Sequence, residues 1–181
     1  KGSRVTLRCA PDFGYRFARW EGSLASTDNP LSLALDRDLR LTAVCEPDPE
    51  APPLVSRGKP ADASSQEADL AAPLAVDGNP LTRWGSRWSD DQWLTIDLGA
   101  PHLVAAVQIR WEAASAKRYE IQVSGDGKTW TTVRKQEQGS SGVEPFIGLA
   151  ARGRYVRVRC LERNTNYGFS IFEIEVYGRR L

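Results

Sequence analysis

The sequence of 181 residues predicts an all-β chain, with a β-sandwich of about 125 residues preceded by a small β module of about 46. Three observations carry that prediction. Short apolar stretches alternate with polar residues at period two, and Gly- and Asp-rich turns recur at roughly ten-residue intervals. The chain is also interrupted once by a proline cluster, Glu46-Pro47-Asp48-Pro49-Glu50-Ala51-Pro52-Pro53. Each proline removes a backbone donor and fixes φ, so this run reads as a stiff linker outside any sheet. It divides the sequence into a first module at 1–46, a linker at 47–53, a second module at 54–178 and a tail at 179–181.

In the first module, Val5, Leu7 and Cys9 share one face of a strand, as do Leu31, Leu33 and Leu35 of another. Leu39, Leu41, Ala43 and Cys45 line a third. Between them, Gly14-Tyr15-Arg16-Phe17-Ala18-Arg19-Trp20-Glu21-Gly22 is an aromatic strand ending in a turn, with Trp20 as its core residue. Cys9 and Cys45 both fall on the expected core-facing side. In an oxidising compartment they would form a disulfide; the alternative is two buried thiols.

In the second module, Trp93 to Gly99 alternates and ends in a turn. Val107, Ile109 and Trp111 face one way, with Gln108, Arg110 and Glu112 opposite. Tyr119, Ile121 and Val123 lead into the hairpin signal Ser124-Gly125-Asp126-Gly127-Lys128. Val156, Val158 and Cys160 alternate with Arg157, Arg159 and Leu161, and Ile174, Val176 and Tyr177 close the module. Trp84, Trp93, Trp111 and Trp130 lie in or beside strands and are expected in the core, and Cys160 is expected to be a small buried hydrophobe. His102, in Ala100-Pro101-His102, reads as an exposed turn residue.

Composition excludes several classes. Twenty-four basic residues balance twenty-three acidic ones, for a net charge of +1, which favours neither duplex nucleic acid nor an anionic membrane. No apolar run approaches the roughly 20 residues needed to span a bilayer. Three cysteines match no zinc spacing, and a single histidine supplies neither a His-containing triad nor a multi-His metal centre. The first residue is Lys1 and there is no methionine, which reads as an internal piece of a longer protein, so the missing signal peptide says nothing about export.

Two resemblances follow from the motifs. Val5-Thr6-Leu7 through Pro11, Gly14 to Trp20, Asp28-Asn29-Pro30-Leu31 and Leu41-Thr42-Ala43-Val44 together resemble a divergent internalin-type B repeat. That implies a small β-grasp-like spacer, here shortened at its N-terminus. In the second module, Asp77-Gly78-Asn79-Pro80-Leu81-Thr82-Arg83-Trp84, Trp93 to Gly99, Tyr119 to Ser124 with Asp126-Gly127 and Trp130, and Phe172 to Gly178 resemble the discoidin, or coagulation-factor C-type, domain. The pattern is most similar to the family 32 carbohydrate-binding modules of bacterial glycoside hydrolases. The resemblance implies an eight-stranded jelly roll, a monomer, and a polysaccharide or oligosaccharide as partner. It also implies a structural calcium ion (Ca2+) at Asp77, Asn79, Thr82 and Glu173, an acidic turn with a glutamate of the last strand; the alternative is a plain Asp-Gly turn.

Sugar binding needs a flat aromatic face against the C–H side of a pyranose and polar groups for its hydroxyls. Trp88 lies in the polar loop Gly85-Ser86-Arg87-Trp88-Ser89-Asp90-Asp91 and Tyr167 follows Arg163-Asn164-Thr165-Asn166, so each is either a sugar platform or a lid on the core. Glu67, Arg87, Glu112 and Asn166 could supply the polar groups; each is otherwise a solvated side chain. The resemblance raises Glu112 and Tyr167 above the rest and points to β-glucan or chitosan, with galactose-type sugars less favoured. Paired carboxylates among Glu67, Asp90, Asp91 and Glu112 could suggest a glycosidase, but no sequence feature fixes two of them in a deep cleft. A binding module of a secreted glycoside hydrolase is therefore the leading expectation. A discoidin domain adhering to lipid or protein, and a structural spacer, remain the alternatives.

Overall fold

The computed structural model describes residues 3–181; Lys1 and Gly2, where the first module was expected to start, lie outside the described residues. The chain forms two compact units, Lys1–Ala51 and Pro52–Leu181.

Among the described residues the first unit has four strands, β1 (Ser3–Leu7), β2 (Tyr15–Gly22), β3 (Leu31–Leu35) and β4 (Leu41–Pro47). β1 pairs antiparallel with β3, and β2 with β4. Trp20 and Leu31 are its buried side chains, and the Trp20 indole donates to the Asp28 carbonyl. Several expected faces are interrupted. Cys9 lies beyond the end of β1, and Leu35, at the end of β3, is exposed. A bulge between Phe17 and Arg19 shifts the β2–β4 register, and Cys45, expected to face the core, is exposed. The two sulfurs nevertheless meet: Cys9 Sγ and Cys45 Sγ lie 3.5 Å apart as free thiols. Pro47, read as linker, ends β4 at a strand terminus, where its missing donor is tolerated.

The second unit contains β5 (Ala61–Ala63), a short 3₁₀ turn (Ala72–Ala75), β6 (Trp84–Gly85), β7 (Gln92–Trp111), β8 (Ala116–Ser124), β9 (Thr131–Gln136), β10 (Gly142–Arg163) and β11 (Ser170–Arg180). Its architecture follows from β7 and β10, of 20 and 22 residues, which run antiparallel and change partners along their length. Register shifts between Ile147 and Ala151 and between Gly153 and Tyr155 bend the pair, as bulges do. On one side of the bend, Gln92–Asp97 of β7 lies between β5 and the Tyr155–Cys160 arm of β10, which continues to β8 and β9. On the other, His102–Trp111 of β7 lies between the Gly142–Gly153 arm of β10 and β11, which carries β6 at its edge. Leu94, Ile96, Val156 and Val158 from the first layer and Val107, Ile109, Ile174 and Val176 from the second belong to one core. The result is the all-β sandwich expected from the sequence.

His102 corrects the expectation of an exposed turn. It sits inside β7, flanked by Gly153 of β10 and Arg180 of β11, and is buried, with Nδ1 2.7 Å from the Ala100 carbonyl oxygen. Turn residues precede it, but the strand resumes at once and is paired on both edges. Trp84 and Trp111 are core residues and Cys160 is fully buried, whereas Trp93 and Trp130 are only half-buried and stack on Arg157. Burial pushes the Cys160 thiol well above its usual range, so it behaves as a small apolar side chain.

Outside the core, Arg154 grips Asp97 with two bonds of 2.7 Å between β10 and β7. That guanidinium holds the Asp97 carboxyl below the usual carboxylate range. A depressed folded value means that the pair stabilises fully above the unfolded value of about 3.9 and loses this as pH falls through the folded one. Asp97→Asn should therefore lower the urea midpoint at pH 7, and the gap to the parent should narrow in acid. A gap that is unchanged at low pH contradicts the assignment.

Candidate functional site

At one end of the sandwich, the segment after β5, the segment after β6, the β7–β8 connection and the β10–β11 connection converge. Backbone bonds knit them together. Glu67 N–H donates to Gly85 O, Gly85 N–H to Leu70 O, Ser86 N–H to Phe169 O, and Glu112 N–H to Ser170 O. Ser86 is buried in their midst; its hydroxyl accepts from Phe169 N–H and donates to Arg87 O. Gly168 makes this approach possible, because a Cβ there would collide with the Ser86 carbonyl oxygen.

The convergence leaves an open pocket of about 390 Å³, lined by Glu67, Trp88, Glu112 and Tyr167 among others. Trp88 and Tyr167, 56% and 60% exposed, pack edge to face with ring centroids 5.2 Å apart. Such an edge contact orients an aromatic pair without covering every face. The Trp88 indole N–H donates to Glu67 Oε2 at 2.8 Å, so Glu67 also steers the ring. Glu112 Oε2 accepts the Ala114 N–H at 2.9 Å, a turn that closes the β7–β8 connection. In each glutamate one oxygen is used internally, and the other accepts no hydrogen bond among the described residues.

Four of the five sugar-binding residues expected from the sequence thus meet in one pocket. Arg87 does not line it: its N–H is tied to Ser65 Oγ and its side chain is exposed. Asn166 is absent from the lining too, and its neighbour Thr165 takes that place. Asp90 and Asp91, weighed as partners for a carboxylate pair, are instead engaged by Arg163 and Arg159. Sequence reasoning missed Arg83, on the pocket lining with a buried Nε that meets no acceptor, and the floor made by Leu70 and Phe169. Alternation with Trp84 signals that Arg83 points away from the core, but not which loop it meets.

The acidic turn is a separate place. Asp77 accepts from Asn79 N–H and from the Thr82 hydroxyl, while Asn79 Oδ1 accepts from Leu81 N–H. Gly78 N–H donates to both Glu173 oxygens, at 3.2 and 3.3 Å. Burial pushes the Glu173 carboxyl up to about 7; the charges of Asp77 and Glu175 add to this, and Gly78 N–H and Arg57 oppose it. A hard cation placed here would favour the ionised form of the Glu173 carboxyl. No group of three or more acidic, His or Cys side chains is gathered among the described residues, so carbonyls and a hydroxyl would have to complete any shell.

Comparison with known proteins adds the following. The F5/8 type C domain profile matches residues 60–174. Over 114 residues the chain is 33% identical to the polysaccharide lyase 8 family protein HylA of Enterococcus faecalis; the match covers 59% of this chain and 8% of that protein. A sialidase of Micromonospora viridifaciens is 29% identical over 136 residues, covering 66% of this chain and 21% of the sialidase. The chain therefore spans a small part of the length of these curated relatives. Among solved structures, chitosan-binding module 1 of a chitosanase/glucanase from Paenibacillus sp. IK-5 is 41% identical, with a TM-score of 0.67, covering 69% of this chain and 98% of the module. Module 2 of the same enzyme, solved with chitotriose, is 37% identical, with a TM-score of 0.67 and coverages of 68% and 99%.

Proposed function

The chain belongs to the F5/8 type C domain family, and we propose that its second unit is a non-catalytic carbohydrate-binding module that holds a secreted glycan-active enzyme on chitosan. The observation that carries this is the pairing of two pocket carboxylates, Glu67 and Glu112, with the exposed Trp88–Tyr167 pair. The aromatic rings offer an apolar wall to a gluco-configured pyranose, and the free carboxylate oxygens are acceptors for its ammonium and hydroxyl groups. The 37–41% identity to chitosan-binding modules, over nearly their whole length, supports the same ligand. A neutral β-glucan is the second reading, since the aromatic wall would serve it equally and Arg83 on the lining disfavours a cation. The lipid- or protein-adhesion reading is less supported: Trp88 and Tyr167 pack on each other, with Glu67 and Glu112 on the same pocket lining.

Two supporting features are proposed with it. Asp77, Asn79, Thr82 and Glu173 would help to hold a structural calcium ion, which would neutralise the crowded carboxylates beside β11. The first unit would act as a spacer of the B-repeat kind, with Cys9 and Cys45 joined as a disulfide once oxidised.

Calorimetry with chitosan oligomers should give an affinity that falls with salt and with deprotonation of the amine. Glu112→Ala and Trp88→Ala should each cost on the order of 1–3 kcal/mol of binding. Salt-independent binding that is shared with cello-oligosaccharides selects the β-glucan; full binding by both variants refutes the placement of the site.

Chelation should lower the thermal midpoint of the second unit, because a ligand of the folded state stabilises by mass action. An unchanged midpoint, with no metal found by elemental analysis, rules out the ion. In the air-oxidised chain, denaturing thiol titration should count one free cysteine, Cys160, and a count of three disproves the bridge.

A further inference from the structure

A second pocket, of about 410 Å³, lies away from the loop-end site, on the outer surface of the layer that contains β5, the first arm of β7 and the second arm of β10. Its centre is Arg157. The guanidinium carbon sits 4.5 Å from the Trp93 ring centroid and 3.7 Å from that of Trp130, so the plane is held between two indoles. Its Nε donates to Thr95 Oγ1 at 2.9 Å, and among the described residues no carboxylate pairs with it. Three other arginines of β10 differ: Arg154, Arg159 and Arg163 each bind an aspartate.

The charges around Arg157 sharpen this. Three aspartates line the same pocket, and each is engaged internally. Asp97 is gripped by Arg154. Asp126 accepts from the N–H groups of Lys128 and Thr129 and from the Ser124 hydroxyl. Asp62, on the exposed rim, turns one oxygen back to the Ala63 N–H. Lys128, also on the lining, has no ion pair among the described residues. Among the described residues, the charged donors on the lining that meet no carboxylate are the Nη edge of Arg157 and the Lys128 ammonium. Desolvation and the nearby Arg159 both weigh against the charged form of Arg157, so an anion here would relieve a standing cost.

We propose that this pocket is a second glycan subsite, which takes a carboxylate-bearing sugar, a uronic acid residue, with the carboxylate on the Arg157 Nη edge and Lys128. A guanidinium fixed by two stacked rings presents a planar fork matched to a carboxylate. Trp130, Tyr155 and Pro60 supply the apolar border that a pyranose ring needs. The site is independent of Trp88 and of the ligand proposed there. A chain with both sites could grip an acidic and a basic or neutral stretch of a mixed polysaccharide at once.

The test is a titration of the whole chain with hexagalacturonate, followed by the indole N–H resonances, with cellohexaose and a poly-glutamate hexapeptide as controls. The account predicts that hexagalacturonate moves Trp93 and Trp130 but not Trp88, and that cellohexaose and the peptide leave them in place. Arg157→Gln should weaken that binding at least about tenfold, the loss of one charge-assisted fork. Lys128→Ala, an exposed change that leaves the stack intact, should weaken it by a smaller factor and reduce its salt dependence. If Trp93 and Trp130 stay still, or if Lys128→Ala and Arg157→Gln bind as the parent does, the subsite does not exist. Equal shifts with cellohexaose overturn the carboxylate, and equal shifts with the peptide overturn the sugar.

Discussion

The buried hydroxyl of Ser86 fixes the working end of this molecule. Ser86 follows the two-residue strand β6 and lies under the β10–β11 connection, where it accepts the Phe169 N–H and donates to the Arg87 carbonyl. A buried polar group of this kind is costly unless its bonds are made, and here the bond from Phe169 N–H joins two loops 83 residues apart in the sequence. Gly168 lets the backbones close to the distance that the hydroxyl requires. The locked loops bring Trp88 and Tyr167 into edge contact, and Glu67 accepts the indole N–H at the rim of the ring.

The sandwich makes that lock possible by supplying rigid strand ends. β7 and β10 pass through both layers, so the loops that leave Trp111 and Arg163 are anchored in the same core. Long strands shared between layers also tie the two faces into one cooperative body, with register shifts absorbing the bend. Side chains on the outer face carry polar work in consequence. Arg154, Arg159 and Arg163 of β10 reach aspartates on neighbouring elements, and Arg157, which meets no carboxylate among the described residues, is stacked instead.

Much of this was legible in the sequence. Period-two alternation placed Val107, Ile109, Val156 and Val158 inward, and the turn at Asp126 is the hairpin that its Gly-Asp-Gly signal describes. The polar loops with isolated aromatics, at Trp88 and Tyr167, were visible as anomalies of pattern, and they are the pair that lines the pocket. Long-range geometry was not visible. Alternation cannot tell a core indole from one that stacks on an arginine, which is why Trp93 and Trp130 were read as core. A bulge between Phe17 and Arg19 moved the register opposite Cys45, and no local signal announces it. His102 followed turn residues yet resumed a strand paired on both edges, a fact that belongs to β10 and β11 and not to its own neighbourhood. Arg87 and Asn166 sat in the right loops, but the backbone turned them away from the pocket that Arg83 and Thr165 line instead.

The central claim is that four loops, held together at Ser86, present Glu67, Trp88, Glu112 and Tyr167 as one glycan-binding surface. The most direct measurement is a crystal structure of the chain with chitotriose. The account predicts a pyranose ring against the Trp88–Tyr167 pair, with amino or hydroxyl groups within hydrogen-bond distance of Glu67 and Glu112. Chitotriose bound elsewhere on the domain, with this pocket left to solvent, would contradict it.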